Sequence, residues 1–95
     1  MIVVVVTIQS KNFEALKLFE DCVSKIMKKH DANMIYAFET QNRNEEIHII
    51  EFPSTMHLEN YKTDKEHEKY LTLKNNAIEN IDIRVSTQFK NYGLD

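Results

Sequence analysis

The sequence predicts an α+β fold in which strands and helical regions follow one another in the order β-α-β-β-α-β. Three observations indicate this order. Residues 2–9 are almost entirely β-branched, residues 12–29 repeat apolar side chains every three or four positions, and residues 81–89 alternate apolar and polar side chains. This is the split βαβ, or ferredoxin-like, order, which puts both helical regions on one face of a four-stranded antiparallel sheet.

The first strand and the first helix are the most strongly patterned elements. The strand, IVVVVTIQ, is apolar on both of its alternating faces, whereas a strand with one wet face alternates with polar residues, so we expect both faces to be covered. Asn12 is a suitable N-cap for the helix, and Glu14 lies in its first turn. The helix carries an apolar stripe that includes Leu16, Phe19, Val23 and Ile26.

The middle of the chain reads as a hairpin followed by helices. Residues 33–40 and 46–52 are predicted strands joined by a polar turn, and Pro53 ends the second of them because it has no N–H to donate. Ser54 then caps a short helix. Thr63 and Glu66 have the spacing of a capping box, which predicts a further helix before the strand at 81–89.

Composition limits the class of protein. The 95 residues suit a single domain, 1–95, and a formal net charge of -3 with interleaved lysines and acids favours neither a nucleic-acid partner nor a membrane surface. The lone cysteine, Cys22, suits a reducing compartment, and the apolar start of the chain is too short for a signal peptide or a membrane span, so we expect a cytoplasmic protein. Gly93 is the one glycine, which excludes glycine-rich phosphate loops.

The sheet face that no helix covers is predicted to be apolar whichever way the strands face. From the second strand it takes either Met34, Tyr36 and Phe38 or Ile35 and Ala37. Covering about 500 Å² of apolar surface is worth about 12 kcal/mol, against association costs of about 4–15 kcal/mol. We therefore expect a homodimer through this open face, related by a two-fold axis.

The element order, the strand IHIIEFPS, the short helix after it and the segment HEKYLTLKNNAI together resemble the dimeric α/β-barrel superfamily. Within it, the chain is most similar to a small domain family of unknown function that has a Glu-Phe-Pro-Ser turn, here Glu51 to Ser54, and a tyrosine after an acidic residue, here Glu68 and Tyr70. Antibiotic-biosynthesis monooxygenase-like proteins are more distant relatives. The resemblance implies a homodimer whose sheets form a barrel, with a pocket between sheet and helices or within the barrel.

Three residues are candidates for catalysis: Glu51, His48 and Arg84. If Phe52 faces the helices, Glu51 and Arg84 face the barrel, where they form either a buried ion pair or the polar end of a pocket. His48 suits proton transfer but has the opposite strand parity to Glu51, so the two cannot form one site. Which of them faces the barrel stays open, because a bulge near Pro53 would exchange the two sides. A structural histidine is the alternative.

Candidate substrate-binding residues are Tyr36 and Phe38, which suit stacking on an aromatic ligand or a place in the core, and Tyr70, which lies with Tyr61 and His67 on the later helices. We expect His67 to face solvent. The four histidines lack the close spacing of a metal site, so neither a metal nor a cofactor is predicted. The third strand lacks the basic residue, glycine and aromatics of an RNA-recognition domain.

Two functions follow as expectations. The first is a binding or structural module, a homodimer that holds a small apolar ligand. The second, suggested by the resemblance, is a cofactor-free monooxygenase- or isomerase-like enzyme acting on a small aromatic or apolar substrate. The enzyme requires at least two of Tyr36, His48, Glu51 and Arg84 to converge on a cavity.

Overall fold

The computed structural model describes residues 1–41, 44–86 and 90. Its elements are strand β1 (Ile2–Ser10), helix α1 (Phe13–Lys29), strands β2 (Asn33–Glu39) and β3 (Glu45–Phe52), helix α2 (Thr55–Lys62), a 3-10 helix (Lys65–Tyr70), helix α3 (Leu71–Ala77) and strand β4 (Ile78–Val85). The predicted β-α-β-β-α-β order is confirmed, with the second helical region divided into three short helices.

The strands form one four-stranded antiparallel sheet in the order β2-β3-β1-β4, the ferredoxin-like arrangement. The β-branched run of β1 lies in the middle of the sheet, paired with β3 on one side and β4 on the other. Val6 lies opposite His48 on β3 and Ile83 on β4, so these three side chains share one face of the sheet.

The helices cover one face of the sheet and leave the other open. Val4, Ile50 and Phe52 point to the helices and are 2%, 8% and 2% exposed. They pack with Leu16 of α1, Leu58 of α2 and other apolar side chains in one core. The opposite side, here called the open face, keeps Val5 and Phe38 exposed. The helices therefore cover one face of the sheet, as the element order predicts. Within a single chain, the open face is not covered.

A bulge in β2 decides which residues of that strand reach the open face. Met34 lies opposite Ile50 on the helix side, but the register shifts before Tyr36, which lies opposite Ile49. Tyr36 and Phe38 therefore point to the open face while Met34 does not. The expectation that Met34, Tyr36 and Phe38 share one face is wrong because the bulge adds a residue, Ile35, between them.

The local hydrogen bonds confirm two predicted helix caps and correct a third. Asn12 and Ser54 cap α1 and α2 as predicted, accepting the backbone N–H of Ala15 and His57. Thr63, however, ends α2 and donates its hydroxyl to the carbonyl of Glu59, 2.9 Å away, so it is not an N-cap. Asp64 caps the 3-10 helix instead.

Strand β4 begins at Ile78, three positions before the predicted start at Ile81. Ile78 pairs with Ser10 of β1 and is buried, because a register shift next to Gln9 lets the strand begin immediately after α3. The predicted end of this strand, at residues 87–89, lies outside the described residues. None of the helices in the described part of the chain has the length and apolar character that crossing a membrane requires.

Candidate functional site

A cavity of about 340 Å³ lies between the helices and the covered face of the sheet. Most of its lining is apolar and comes from α1, from the sheet and from α2, for example Phe19, Val23, Val6, Ile50 and Leu58. On the edge strands, Met34 and Ile83 also line the cavity and stay 39% and 51% exposed, so it is accessible from solvent. Its volume is at the small end of the range for ligand pockets, about 300–1,000 Å³.

Three polar side chains meet at the wall of this cavity, and we call them the Glu20–Glu46–His48 cluster. Nε2 of His48 lies 3.0 Å from Oε2 of Glu20 and 3.0 Å from Oε1 of Glu46. The His48 and Glu20 side chains line the cavity. Both carboxylates thus approach the same ring nitrogen, which has a single hydrogen to donate or a single lone pair with which to accept.

The secondary structure explains this convergence. Glu46 and His48 are two positions apart on β3, and residues at this spacing point to the same side of a strand. That side faces the helices, because Glu46 lies opposite the buried Ile8 and His48 lies opposite Val6. Glu20 reaches the cluster from α1, at the edge of the apolar stripe that packs on the sheet.

The cluster is partly withdrawn from water, and its pKa values are shifted accordingly. Burial acts to lower the pKa of His48, but hydrogen bonds to Glu20 and Glu46 outweigh it and raise the pKa above the ordinary value. Burial raises the pKa of Glu46, and its contact with Glu20 adds to this. For Glu20, burial is outweighed by hydrogen bonds to His48 and Glu46, which lower the pKa. The carboxylates therefore compete for positive charge.

The predicted Glu51–Arg84 ion pair is not formed. Oε1 of Glu51 accepts a hydrogen bond from the Asn33 amide at 3.0 Å, and Nε of Arg84 donates to Asp82 at 2.9 Å. Both residues do face the open side, as expected from the burial of Phe52, but β1 lies between their strands. Two strand spacings separate them by roughly 10 Å, too far for direct contact.

The other predicted residues are distributed between the two faces. Of the predicted catalytic residues, His48 lines the cavity and the other two lie on the open face, so they do not converge. Tyr36 and Phe38 lie on the open face, 64% and 46% exposed. Tyr70 ends the 3-10 helix and is not among the residues that line the cavity. No bulge is formed near Pro53; the β-bulge on this side of the sheet is in β2.

Tyr61 and His67 close the cavity from the helical side. The rings of Tyr61 and His67 meet edge to face with centroids 4.7 Å apart, and the Tyr61 ring also lies 5.5 Å from that of Phe52. Nε2 of His67 lies 2.8 Å from the Tyr61 carbonyl oxygen, so His67 is packed against the cavity wall rather than facing solvent as predicted. Burial raises the pKa of Tyr61 to about 12, and its hydroxyl stays protonated near neutral pH.

Asp64 ties the end of α1 to the helices above the cavity. Its Oδ2 lies 2.8 Å from Nζ of Lys29 and 2.7 Å from Nε2 of His30, while Oδ1 accepts the N–H of Glu66. The hydrogen bond from Lys29, with those from the Glu66 backbone and His30, holds the pKa of Asp64 well below its ordinary range. These contacts fix the position of the helices that roof the cavity.

A second array has the composition of a serine hydrolase triad but a structural role. Oγ of Ser54 lies 2.7 Å from Nδ1 of His57, whose Nε2 lies 3.7 Å from Asp31. Ser54 also accepts the backbone N–H of His57 as the N-cap of α2, which accounts for the short contact. None of the three residues lines the cavity.

Sequence reasoning found His48 but missed Glu20 and Glu46. The available signal was Glu46-Ile47-His48, which places two possible ligands on one side of a strand. Glu20 had no such signal, since its approach to the strand depends on how α1 packs over the sheet.

No protein-family model matches this chain, and no curated protein matches it closely enough to count as a relative. Solved structures of the same fold do exist. A NIPSNAP domain protein from Burkholderia xenovorans is 14% identical, with a TM-score of 0.74 and complete coverage of both chains, 100% and 100%. A NIPSNAP family protein from Agrobacterium tumefaciens is 18% identical, with a TM-score of 0.72 and coverage of 99% of this chain and 98% of the other.

A third structure, of an antibiotic biosynthesis monooxygenase, is 14% identical with a TM-score of 0.64, and the match covers 95% of this chain and 100% of the other. At sequence identities this low, the structural similarity establishes a shared fold alone. The chain therefore has the ferredoxin-like fold of NIPSNAP proteins and of an antibiotic biosynthesis monooxygenase, in agreement with the more distant resemblance expected from its sequence.

Proposed function

We propose that this chain is a single-domain cytoplasmic protein that binds a small, mostly apolar molecule carrying one polar group, and that it acts as a homodimer. The observation that carries the binding function is the cavity, apolar over most of its wall and polar at the Glu20–Glu46–His48 cluster. Small-molecule sites commonly combine an apolar pocket with a few convergent polar groups. The apolar wall selects the body of the ligand and the cluster selects its orientation.

The homodimer is supported by the open face. Val5, Tyr36 and Phe38 are 37%, 64% and 46% exposed there, on a sheet whose other side is already covered by helices. A second copy presents the same surface and matches it by symmetry. We also propose that the chain belongs to the dimeric α/β-barrel superfamily, which the ferredoxin-like fold and the open face support, and to the small family with the Glu-Phe-Pro-Ser turn, which Glu51 to Ser54 support.

Ligand binding in the cavity is tested by measuring thermal unfolding in the presence of a panel of aromatic acids and quinones, from benzoate and 1-naphthoate to menadione. A ligand at ten times its Kd stabilises the protein by about 1.4 kcal/mol. For a domain of this size, that raises Tm by roughly 6–11 °C. If no member of the panel raises Tm, the proposed binding function loses its support.

A matched pair of variants locates the binding. Val23→Phe adds bulk to the cavity wall on α1 and should abolish the ligand-dependent rise in Tm. Leu18→Phe makes a similar change on the outer side of the same helix, where Leu18 is 58% exposed, and should leave the rise intact. Equal loss in both variants, or in neither, would place the ligand elsewhere.

A second candidate function is an enzyme acting on the bound molecule, of the monooxygenase- or isomerase-like kind. It is favoured by one observation, the presence of His48 in the cavity wall with two carboxylates in contact. The two functions are separated by incubating the protein with the best ligand of the panel and following it by mass spectrometry. Conversion that His48→Gln removes supports an enzyme, and an unchanged ligand supports a binding protein.

A further inference from the structure

We propose that the Glu20–Glu46–His48 cluster is a binding site for one divalent first-row transition metal ion, with Zn²⁺ as the test case. The site is built from one imidazole nitrogen and two carboxylate oxygens, all lying within 4.8 Å of one another. At protein sites that have no thiolate ligand, Zn²⁺, Mn²⁺ and Fe²⁺ are bound by imidazole and carboxylate groups.

The distances require little rearrangement. Nε2 of His48 lies 3.0 Å from each carboxylate oxygen. Ligand atoms around a tetrahedral Zn²⁺ with bonds of about 2.0–2.1 Å lie about 3.3 Å apart. The two distances to His48 are therefore a few tenths of an ångström shorter than those around the ion, and the third, between the carboxylate oxygens, is within 4.8 Å.

The charge of the cluster favours a cation. The side chains of Glu20, Glu46 and His48 are 31%, 15% and 9% exposed. Across residues 1–41, 44–86 and 90, neither carboxylate forms an ion pair with a lysine or arginine. Among the described residues, His48 is thus the one ion-pair partner of these two partly buried acids, which also contact each other, and carboxylates in such surroundings are costly without further positive charge.

The location of the cluster suggests what the ion would bind. Three protein ligands leave at least one coordination position for water or a substrate, as in catalytic zinc sites. Glu20 and His48 line the cavity, so a molecule held there lies next to the ion. We infer a small apolar ligand with an oxygen head group, such as an aromatic carboxylate. This ligand class rests on the proposed function, whereas the metal site does not.

Isothermal titration of the full chain with ZnCl₂, after dialysis against EDTA and then buffer, tests the site. We expect one Zn²⁺ per chain, with Glu46→Gln and His48→Gln each weakening binding at least about tenfold, since even the loss of an outer-shell partner costs about 10–100-fold. Glu45→Gln is the matched control: it removes the same charge from the adjacent residue, which faces the open side and accepts a hydrogen bond from Thr40. Its affinity should equal that of the wild type.

The proposal is overturned if the wild type binds no Zn²⁺, or if Glu46→Gln binds as tightly as Glu45→Gln. If His48→Gln does not fold by circular dichroism, Glu20→Gln replaces it, because Glu20 is the most exposed of the three and lies on a helix. Repeating the thermal panel on the zinc-free protein separates the two proposals. If a ligand raises Tm but the protein binds no Zn²⁺, only the metal site is contradicted. If the protein binds Zn²⁺ but no ligand raises Tm, only the proposed function is contradicted.

Discussion

Removing one aromatic side chain from the open face should dissociate the proposed homodimer. Phe38 lies on β2, 46% exposed, among the apolar residues of that face. Because a phenylalanine carries roughly 200 Å² of surface, about 90 Å² of Phe38 remains to be covered by a partner. At about 25 cal/mol per Å² this contributes about 2 kcal/mol per subunit, and about 4 kcal/mol in a two-fold dimer. Phe38→Ala should therefore raise the dimer Kd, by up to about a thousandfold.

Sedimentation equilibrium over a range of protein concentrations measures this Kd directly. The matched control is Leu18→Ala, which removes an equally apolar, 58% exposed side chain from the outer surface of α1. The control should leave Kd unchanged. A wild type that sediments as a monomer at micromolar concentration would refute the reasoning, as would equal effects of the two substitutions.

Three further predictions concern the stability of the fold. Phe52→Ala, at a 2% exposed core position, should lower the free energy of unfolding by about 3–5 kcal/mol in urea titrations, whereas the 41% exposed Phe13→Ala should change it little. Ser54→Ala removes the cap of α2 and should cost about 0.5–2 kcal/mol in the same titrations. The pKa of Asp64 is lowered in the folded protein, mainly by Lys29, so its stabilisation is present above about pH 4 and is lost as the pH falls below that value. Asp64→Asn should therefore have a lower Tm at pH 7 and a shallower fall in Tm between about pH 5 and pH 2; a fall as steep as that of the wild type would contradict this.

The fold was predictable because its signals are local. The β-branched run of β1, the caps at Asn12 and Ser54 and the stop at Pro53 each act on the backbone beside them. The β2 bulge was not predictable, since it is set by the pairing of β2 with β3 rather than by a glycine or proline in the strand. Asp64 replaces Thr63 as the N-cap of the 3-10 helix for a related reason: α2 runs to Lys62, which makes Thr63 its C-cap.

The candidate site was less predictable than the fold. Strand alternation correctly separated His48 from Glu51, and the structure puts them on opposite sides of β3. Neither Glu20 nor the cavity could be read from alternation, because both depend on the separation between α1 and the sheet. The pair formed by Arg84 and Asp82 shows the same limit, since strand parity gives the side on which a residue lies but not the partner that it selects.

The binding of a small molecule between the sheet and the helices is tested most directly by NMR. Titration of ¹⁵N-labelled protein with 1-naphthoate, or with the panel member that raises Tm most, reports on both faces of the sheet at once. The account predicts that amide shifts change at cavity residues such as Val6, Val23 and Leu58, while that of Phe38 on the open face stays unchanged. Shifts confined to the open face would contradict it.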